Sequence, residues 1–204
     1  MVNGQNRANL VRLNPDGSVD PSFANIASST VLAIARQPAD GKLLVVGSFT
    51  SYNGSTAKGV VRLNTDGTLD SGFSLGSAQG VNGQVNAVAI DPVTGKIVLG
   101  GSFTAHADGT SLNRIARLNT DGTRDTTFVP GTGFDNTVNA VAFDGTTTGA
   151  TASTIVLGGA FTSFNGSAAN VANRLVRLTS LGALDTTFVT GTGPNGTVNC
   201  VAYD

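Results

Sequence analysis

The chain has 204 residues, and its thirteen acidic residues are all aspartate. It has one histidine, one cysteine and no tryptophan, so any chemistry must come from a narrow set of side chains. The aspartates recur in a pattern. Asn14, Asp16 and Asp20, and again Asn119, Asp121 and Asp125, form Asn-x-Asp-Gly-x-x-Asp segments with the outline of a calcium loop. Calcium takes six to eight oxygens, usually with a bidentate Glu, and two carboxylates per turn fall short of that. The fourth copy, Thr179-Ser-Leu-Gly-Ala-Leu-Asp185, drops two side-chain ligands yet keeps the spacing. We read the segment as a hairpin turn with a local Asp cap and assign no metal.

A second constellation pairs Arg12 with Asp20, Arg62 with Asp70, Arg117 with Asp125 and Arg177 with Asp185. Such a ring of charge could hold an anionic ligand. Equal spacing in all four copies favours a structural role instead: a partly buried ion pair that fixes how one strand meets the next hairpin or the next repeat, suited to the planar guanidinium fork. A third set, Tyr52, His106 and Phe164, stands three positions after a recurring Phe and is followed by Asn53, Asp108 and Asn165. Flat side chains beside amides and a carboxylate are candidates for stacking on sugars; the alternative is that they pack onto their own loops. His106 has no second ligand or base at a recognisable spacing. Asp108, Asp135 and Asp144 lie outside the regular pattern and form no evident dyad. No catalytic residue and no cofactor is assigned.

The elements that position these residues are repeats. Arg-Leu, a turn, Asp and Phe recur with Arg and Phe 11 positions apart in every copy, at Arg12–Phe23, Arg62–Phe73, Arg117–Phe128 and Arg177–Phe188. A second block reads Gly47-Ser-Phe-Thr50, Gly101-Ser-Phe-Thr104 and Gly159-Ala-Phe-Thr162. A third reads Val31-Leu-Ala-Ile-Ala35, Val85-Asn-Ala-Val-Ala89, Val138-Asn-Ala-Val-Ala142 and Val198-Asn-Cys-Val-Ala202. Successive arginines are 50, 55 and 60 positions apart, so the drift must sit in loops such as Gly145 to Ser153, where extra length costs little. Alternating or continuous apolar runs joined by Asp-Gly and Thr-Gly turns predict antiparallel hairpins, and no helical period appears. The pattern predicts an all-β fold, a β-propeller segment of about four four-stranded blades. One domain spans 1–204, with units near 1–30 (partial), 31–84, 85–137, 138–197 and 198–204 (partial). The last blade lacks its second strand, so the chain is expected to be completed by further repeats of a longer parent or by another copy of itself.

Composition limits the partners. Charged residues make up 12%, about half the ~25% usual for globular domains, leaving Thr, Ser, Asn and Gly to wet the surface. A net charge of -1 argues against nucleic acid, which is bound by neutralising phosphates. No apolar run approaches the ~20 residues that cross a bilayer, so no membrane insertion is expected. Met1-Val-Asn-Gly-Gln does not read as a signal peptide. Cys200 is read as a small core residue. The Gly-x-Gly of Pro130–Thr137 and Thr190–Thr197 has no helix after it and is not a dinucleotide fingerprint. Asn53-Gly-Ser, Asn165-Gly-Ser and Asn195-Gly-Thr fit the N-glycosylation pattern.

The segments Arg62-Leu-Asn-Thr-Asp-Gly-Thr-Leu-Asp70, Val85–Ala89 and Gly95-Lys-Ile-Val-Leu-Gly-Gly-Ser-Phe-Thr104 together resemble the delta-60 repeat family. The resemblance implies propeller-like arrays in large bacterial secreted or cell-surface proteins, with no enzymatic activity generally assigned. Leu32 in place of the Asn at 86, 139 and 199, and Leu181 in place of the turn Asp, depart from the pattern. The expected function is a non-catalytic extracellular scaffold for structure, adhesion or ligand recognition, with carbohydrate as a candidate partner. The alternatives are a glycoside-hydrolysing propeller and a self-assembling fibre or ring subunit.

Overall fold

A computed structural model of the chain describes residues 9–23, 27–76, 80–106, 109–144, 153–166 and 173–203. The first sheet contains β1 (Val31–Arg36), β2 (Leu43–Gly47) and β5 (Val60–Leu63), and the connection from β2 to β5 carries a separate small hairpin of β3 (Ser51–Tyr52) and β4 (Ser55–Thr56). The second holds β6 (Val85–Ile90), β7 (Ile97–Gly101) and β8 (Ile115–Leu118), and the third β9 (Val138–Phe143), β10 (Ile155–Gly159) and β11 (Leu175–Leu178). Each main sheet is antiparallel in sequence order, inner, middle, outer, and the inner strands β1, β6 and β9 neighbour one another in turn. This is the all-β propeller architecture that the repeats predict.

The fourth strand differs from expectation. It is reduced to a single bridged pair in each copy, Leu13–Val19, Leu63–Leu69, Leu118–Arg124 and Leu178–Leu184. The reason lies in the residues that follow. After Asp70 N donates to Arg62 O at 3.0 Å, Phe73 N turns back to Asp70 O at 3.1 Å, and Asp70 Oδ1 takes Gly72 N at 3.0 Å. Asp-x-x-Phe therefore curls the chain away before a second ladder rung forms.

The middle strands are buried on both faces, as continuous apolar runs require. Leu44 and Val46 face the second sheet while Val45 faces back toward Phe23. Ile97 and Leu99 join the layer between the first two sheets, and Val98 joins the layer with the third. The core is thus a series of layers between sheets, each of which needs its neighbours to be covered.

Every inner strand opens with a bulge, at Val31/Ala33, at Val85/Ala87 and opposite Gly158/Gly159. A bulge pushes one residue out of the ladder. At the second and third copies that residue is Asn. Asn86 Nδ2 donates to Asn139 Oδ1 at 3.1 Å, and Asn139 Nδ2 to Asn199 Oδ1 at 3.3 Å, giving an amide ladder from β6 through β9 to the Val198–Ala202 block. Leu32 occupies the first place and is exposed. The middle strand must be glycine opposite the bulge: a Cβ at Gly47, Gly101 or Gly159 would lie 2.1–2.2 Å from a carbonyl oxygen. Cys200 is exposed, which corrects its reading as a core residue. Its counterparts Ala87 and Ala140 are buried within complete sheets, whereas residues 198–203 pack through Val198 and Val201 against Gly158 and form no named strand.

Candidate functional site

The Arg/Asp motif is a latch between repeats. Arg Nε donates to the Asp carboxylate at 2.8, 2.6, 2.7 and 2.7 Å in the four copies. The guanidinium carbon lies 4.6–4.9 Å above the ring centroid of Phe23, Phe73, Phe128 or Phe188, a cation–π contact. Nη1 then crosses to the next repeat: Arg12 donates to Thr65 O, Arg62 to Thr120 O and Arg117 to Ser180 O. Because these acceptors are backbone carbonyls, Leu181 can replace the turn Asp without breaking the link. Backbone bonds from Ser74 N to Asp121 O and from Val129 N to Leu181 O, both 2.9 Å, reinforce it.

Electrostatics follow the geometry. Lys42 Nζ reaches Asp70 at 2.9 Å and Lys96 Nζ reaches Asp125 at 2.7 Å. Burial opposes ionisation of Asp70 and Asp125, yet the hydrogen bonds from these lysines, from the Gly72 and Thr127 backbone and from the arginines hold both carboxyls below the ordinary range. In the turns, hydrogen bonds from Ser18, Thr68 and Thr123 hold Asp16, Asp66 and Asp121 low. Oδ1 of each accepts both a backbone N–H and a hydroxyl of that residue. Asp16 is thus bonded to Ser18, while Asp20 is bonded to Arg12 and Ser22. Among the described residues no group of three or more His, Cys or acidic side chains converges.

The flat side chains after the middle strands are buried beneath the loops. Tyr52, His106 and Phe164 expose 0%, 7% and 1% of their surface. Each is pinned by a bridge to the residue four positions before an inner strand, Ala27, Val81 and Phe134 respectively. Phe164 packs on Phe134 at 4.8 Å, and Tyr52 meets Phe49 edge-on at 6.5 Å. The Tyr52 hydroxyl has no hydrogen-bond partner among the described residues, and burial pushes its pKa up. These three rings therefore do not form an open stacking platform. Asn53 and Asn165 are exposed at the tips of left-handed turns, with φ of 47° and 55°. Asn165 Oδ1 accepts from Gly133 N at 3.0 Å, so it anchors the Gly131-Thr-Gly133 loop, where a Cβ at Gly131 would collide with Asn165. Asp108 lies outside the described residues.

Asp135 and Asp144 stand at opposite ends of β9, whose six residues span roughly 20 Å at ~3.3 Å each. Carboxyl pairs that cleave glycosides sit ~5–9.5 Å apart, so these two cannot act together. Asp135 instead staples a loop, taking Thr162 N at 2.9 Å and Ser163 N at 3.0 Å. Asn82 Oδ1 and Ser28 Oγ each take two backbone N–H groups of the equivalent loop. Asp144, buried beside Thr154, has Arg177 at 4.0 Å.

Sequence reading missed one set of cross-links. Arg114 Nη1 donates to Phe134 O and Arg174 Nη1 to Pro194 O, while Asn113 and Asn173 donate to Thr132 O and Thr192 O. The Asn-Arg pair that recurs ahead of β8 and β11 was the signal.

Latches between successive three-stranded sheets and layered cores define an all-β repeat protein of propeller type. The chain belongs to the family described as a beta-propeller domain of unknown function, DUF5122, which it matches over residues 1–23, 39–73, 94–128 and 154–188. Each of the three longer matches runs from an inner-to-middle turn to the latch Phe, enclosing the middle strand, the outer strand and the latch. No curated protein matches the chain.

Proposed function

We propose that the chain is a non-catalytic scaffold, of the delta-60 kind that its repeats resemble, which holds variable loops on a rigid frame for recognition at a bacterial cell surface or outside the cell. One observation carries this reading: the repeated aspartates are bonded within the framework. Asp20, Asp70, Asp125 and Asp185 serve the latch, Asp16, Asp66 and Asp121 close turns, and Asp135 staples a loop. A carboxylate so engaged is poorly placed to move protons on a substrate. The loops are where the copies differ, and loops on a rigid frame are where binding residues concentrate. A surface wetted by neutral polar residues supports carbohydrate over nucleic acid as the partner class. Glycan-array binding by the purified chain tests this: retention of a glycan without turnover is expected, and hydrolysis of a glycoside would overturn it.

A second reading, association with a further repeat or another copy, rests on β1. Leu32 and Ile34 are 43% and 50% exposed, whereas Val88 and Val141 at the place of Ile34 pack into the layers between sheets. Light scattering across a concentration series tests it: a mass rising above 20.5 kDa is expected, and a constant monomer would exclude self-association.

A further inference from the structure

The loop face breaks its own repeat at one point. Three positions before each latch arginine the backbone is left-handed in every copy, with φ of 65° at Asn9, 77° at Gly59, 74° at Arg114 and 61° at Arg174. In three copies that residue's side chain crosses to the carbonyl four positions before the next inner-strand block. Asn9 Nδ2 donates to Ala27 O at 3.0 Å, Arg114 Nη1 to Phe134 O at 2.5 Å and Arg174 Nη1 to Pro194 O at 3.0 Å. The left-handed region disfavours L residues, so these side chains stay because of what they bind. Gly59 relieves that strain and leaves Val81 O, the equivalent carbonyl, without a side-chain donor among the described residues.

The space so vacated is a groove of about 400 Å3 between the loops of the first and second sheets, lined by Ser48, Thr50, Lys58, Val81 and Gln84 among others. Lys58 occupies the place of Asn113 and Asn173, which bond to their loops. Among the described residues its ammonium has no partner. Two substitutions in adjacent positions, Asn to Lys and a crossing side chain to Gly, thus convert a cross-link into an open site with a cation.

We propose that this groove binds a hexuronate unit of an acidic saccharide, an inference that rests on the recognition reading above and gives it a site. The ligand must donate a hydrogen bond to Val81 O, offer an anion to Lys58 and present hydroxyls to Ser48, Thr50 and Gln84. A uronic acid ring carries all three. A neutral sugar has no anion, and with Tyr52, His106 and Phe164 buried those rings offer it no stacking surface. A simple inorganic anion has no ring of hydroxyls. A carboxylate side chain of a peptide has the charge alone.

The test is an NMR-monitored titration of the 204-residue chain with oligogalacturonate and with the same oligosaccharide after its carboxylates are reduced to alcohols. The acidic form is expected to bind at least tenfold more tightly, with affinity falling as salt rises. Lys58→Gln should weaken binding about tenfold, and Gly59→Asn, which refills the space as Asn9 does, should abolish it while the chain stays folded. If Gly59→Asn does not fold, Lys58→Gln decides. Equal binding of the two saccharides, or binding unchanged by Lys58→Gln, overturns the proposal, as does Lys58-dependent binding of a Glu-rich peptide without binding of galacturonate. Array binding of another glycan that neither substitution affects would sink the groove and leave the recognition reading standing. No binding to any glycan would sink both.

Discussion

The outer edge and the loop face of the molecule follow opposite rules. At the outer edge, Arg, Asp and Phe repeat without substitution in four copies, and the Arg–Asp ion pairs are the same length to within 0.2 Å. On the loop face, equivalent places hold Tyr, His and Phe, or Ser, Asn and Asp, or Asn, Gly and Arg. Sheets that cannot cover their own faces must be joined in the same way each time, so the joint tolerates no variety. Loops that only close a turn are bound by no such demand, and their differences are free to carry recognition.

The largest effect should come from breaking a latch in the interior of the array. The Arg117 and Asp125 side chains are 6% and 3% exposed, whereas Arg12 and Asp20 are 34% and 16% exposed. Arg117→Ala leaves the buried Asp125 with Lys96 as its remaining cation and also removes the bond to Ser180 O and the contact with Phe128, which together should cost about 3–5 kcal/mol. The same change at Arg12 should cost much less, because water screens an exposed pair. Denaturant unfolding of the two variants measures the difference, and equal losses would show that the latch does not act through burial.

Acid should reach the latch next. Asp70 and Asp125 have folded pKa values depressed below their unfolded ones, so the folded state binds fewer protons than the unfolded one. Their contribution is then fully present above the ordinary carboxylate value of ~4 and is lost as pH falls below it. A loss on the order of 2–3 kcal/mol between pH 5 and pH 2 is expected for a strongly depressed carboxyl such as Asp125. Melting temperature against pH should fall on that limb for the native chain and less steeply for Asp125→Asn; parallel curves would separate acid sensitivity from the latch.

A steric comparison comes third. A Cβ on Gly101 would sit 2.1 Å from Gln84 O, at the bulge opposite β6, while one on Gly196 meets nothing within 4 Å. Gly101→Ala should destabilise by about 1–3 kcal/mol and Gly196→Ala by less than ~0.5 kcal/mol, read from thermal melts.

What the sequence discloses follows the same division. Strand type, strand order and the latch partners were legible because apolar runs, Asp-Gly turns and the fixed 11-residue interval repeat. The width of the fourth strand was not, because a short polar stretch ending in Asp-x-x-Phe permits both a strand and a curl, and only the capping of Gly72 or Thr127 by the Asp decides. The burial of Tyr52, His106 and Phe164 was also hidden. Loop aromatics look alike whether they face solvent or core, and the bridges to Ala27, Val81 and Phe134 that pull them inward join residues about 25–30 positions apart. The groove at Lys58 could be seen only by placing Gly59 beside Asn9, Arg114 and Arg174, whose shared left-handed backbone is a structural fact.

The smallest effect sharpens the comparison most. Arg114→Gly removes the hydrogen bond to Phe134 O, a loss of about 1 kcal/mol, and at the same time releases a left-handed backbone that costs an L residue about 1–2 kcal/mol. The two nearly cancel, so stability should shift by less than ~1 kcal/mol in either direction, in contrast to the loss at Arg117, three residues further along the chain in β8. If the loop face is free to vary as argued, Gly59 shows the outcome of that exchange in the native chain. A loss at Arg114 as large as that at Arg117 would mean that the loop cross-links are also part of the frame, and that the open place at Gly59 is a weak point of the structure.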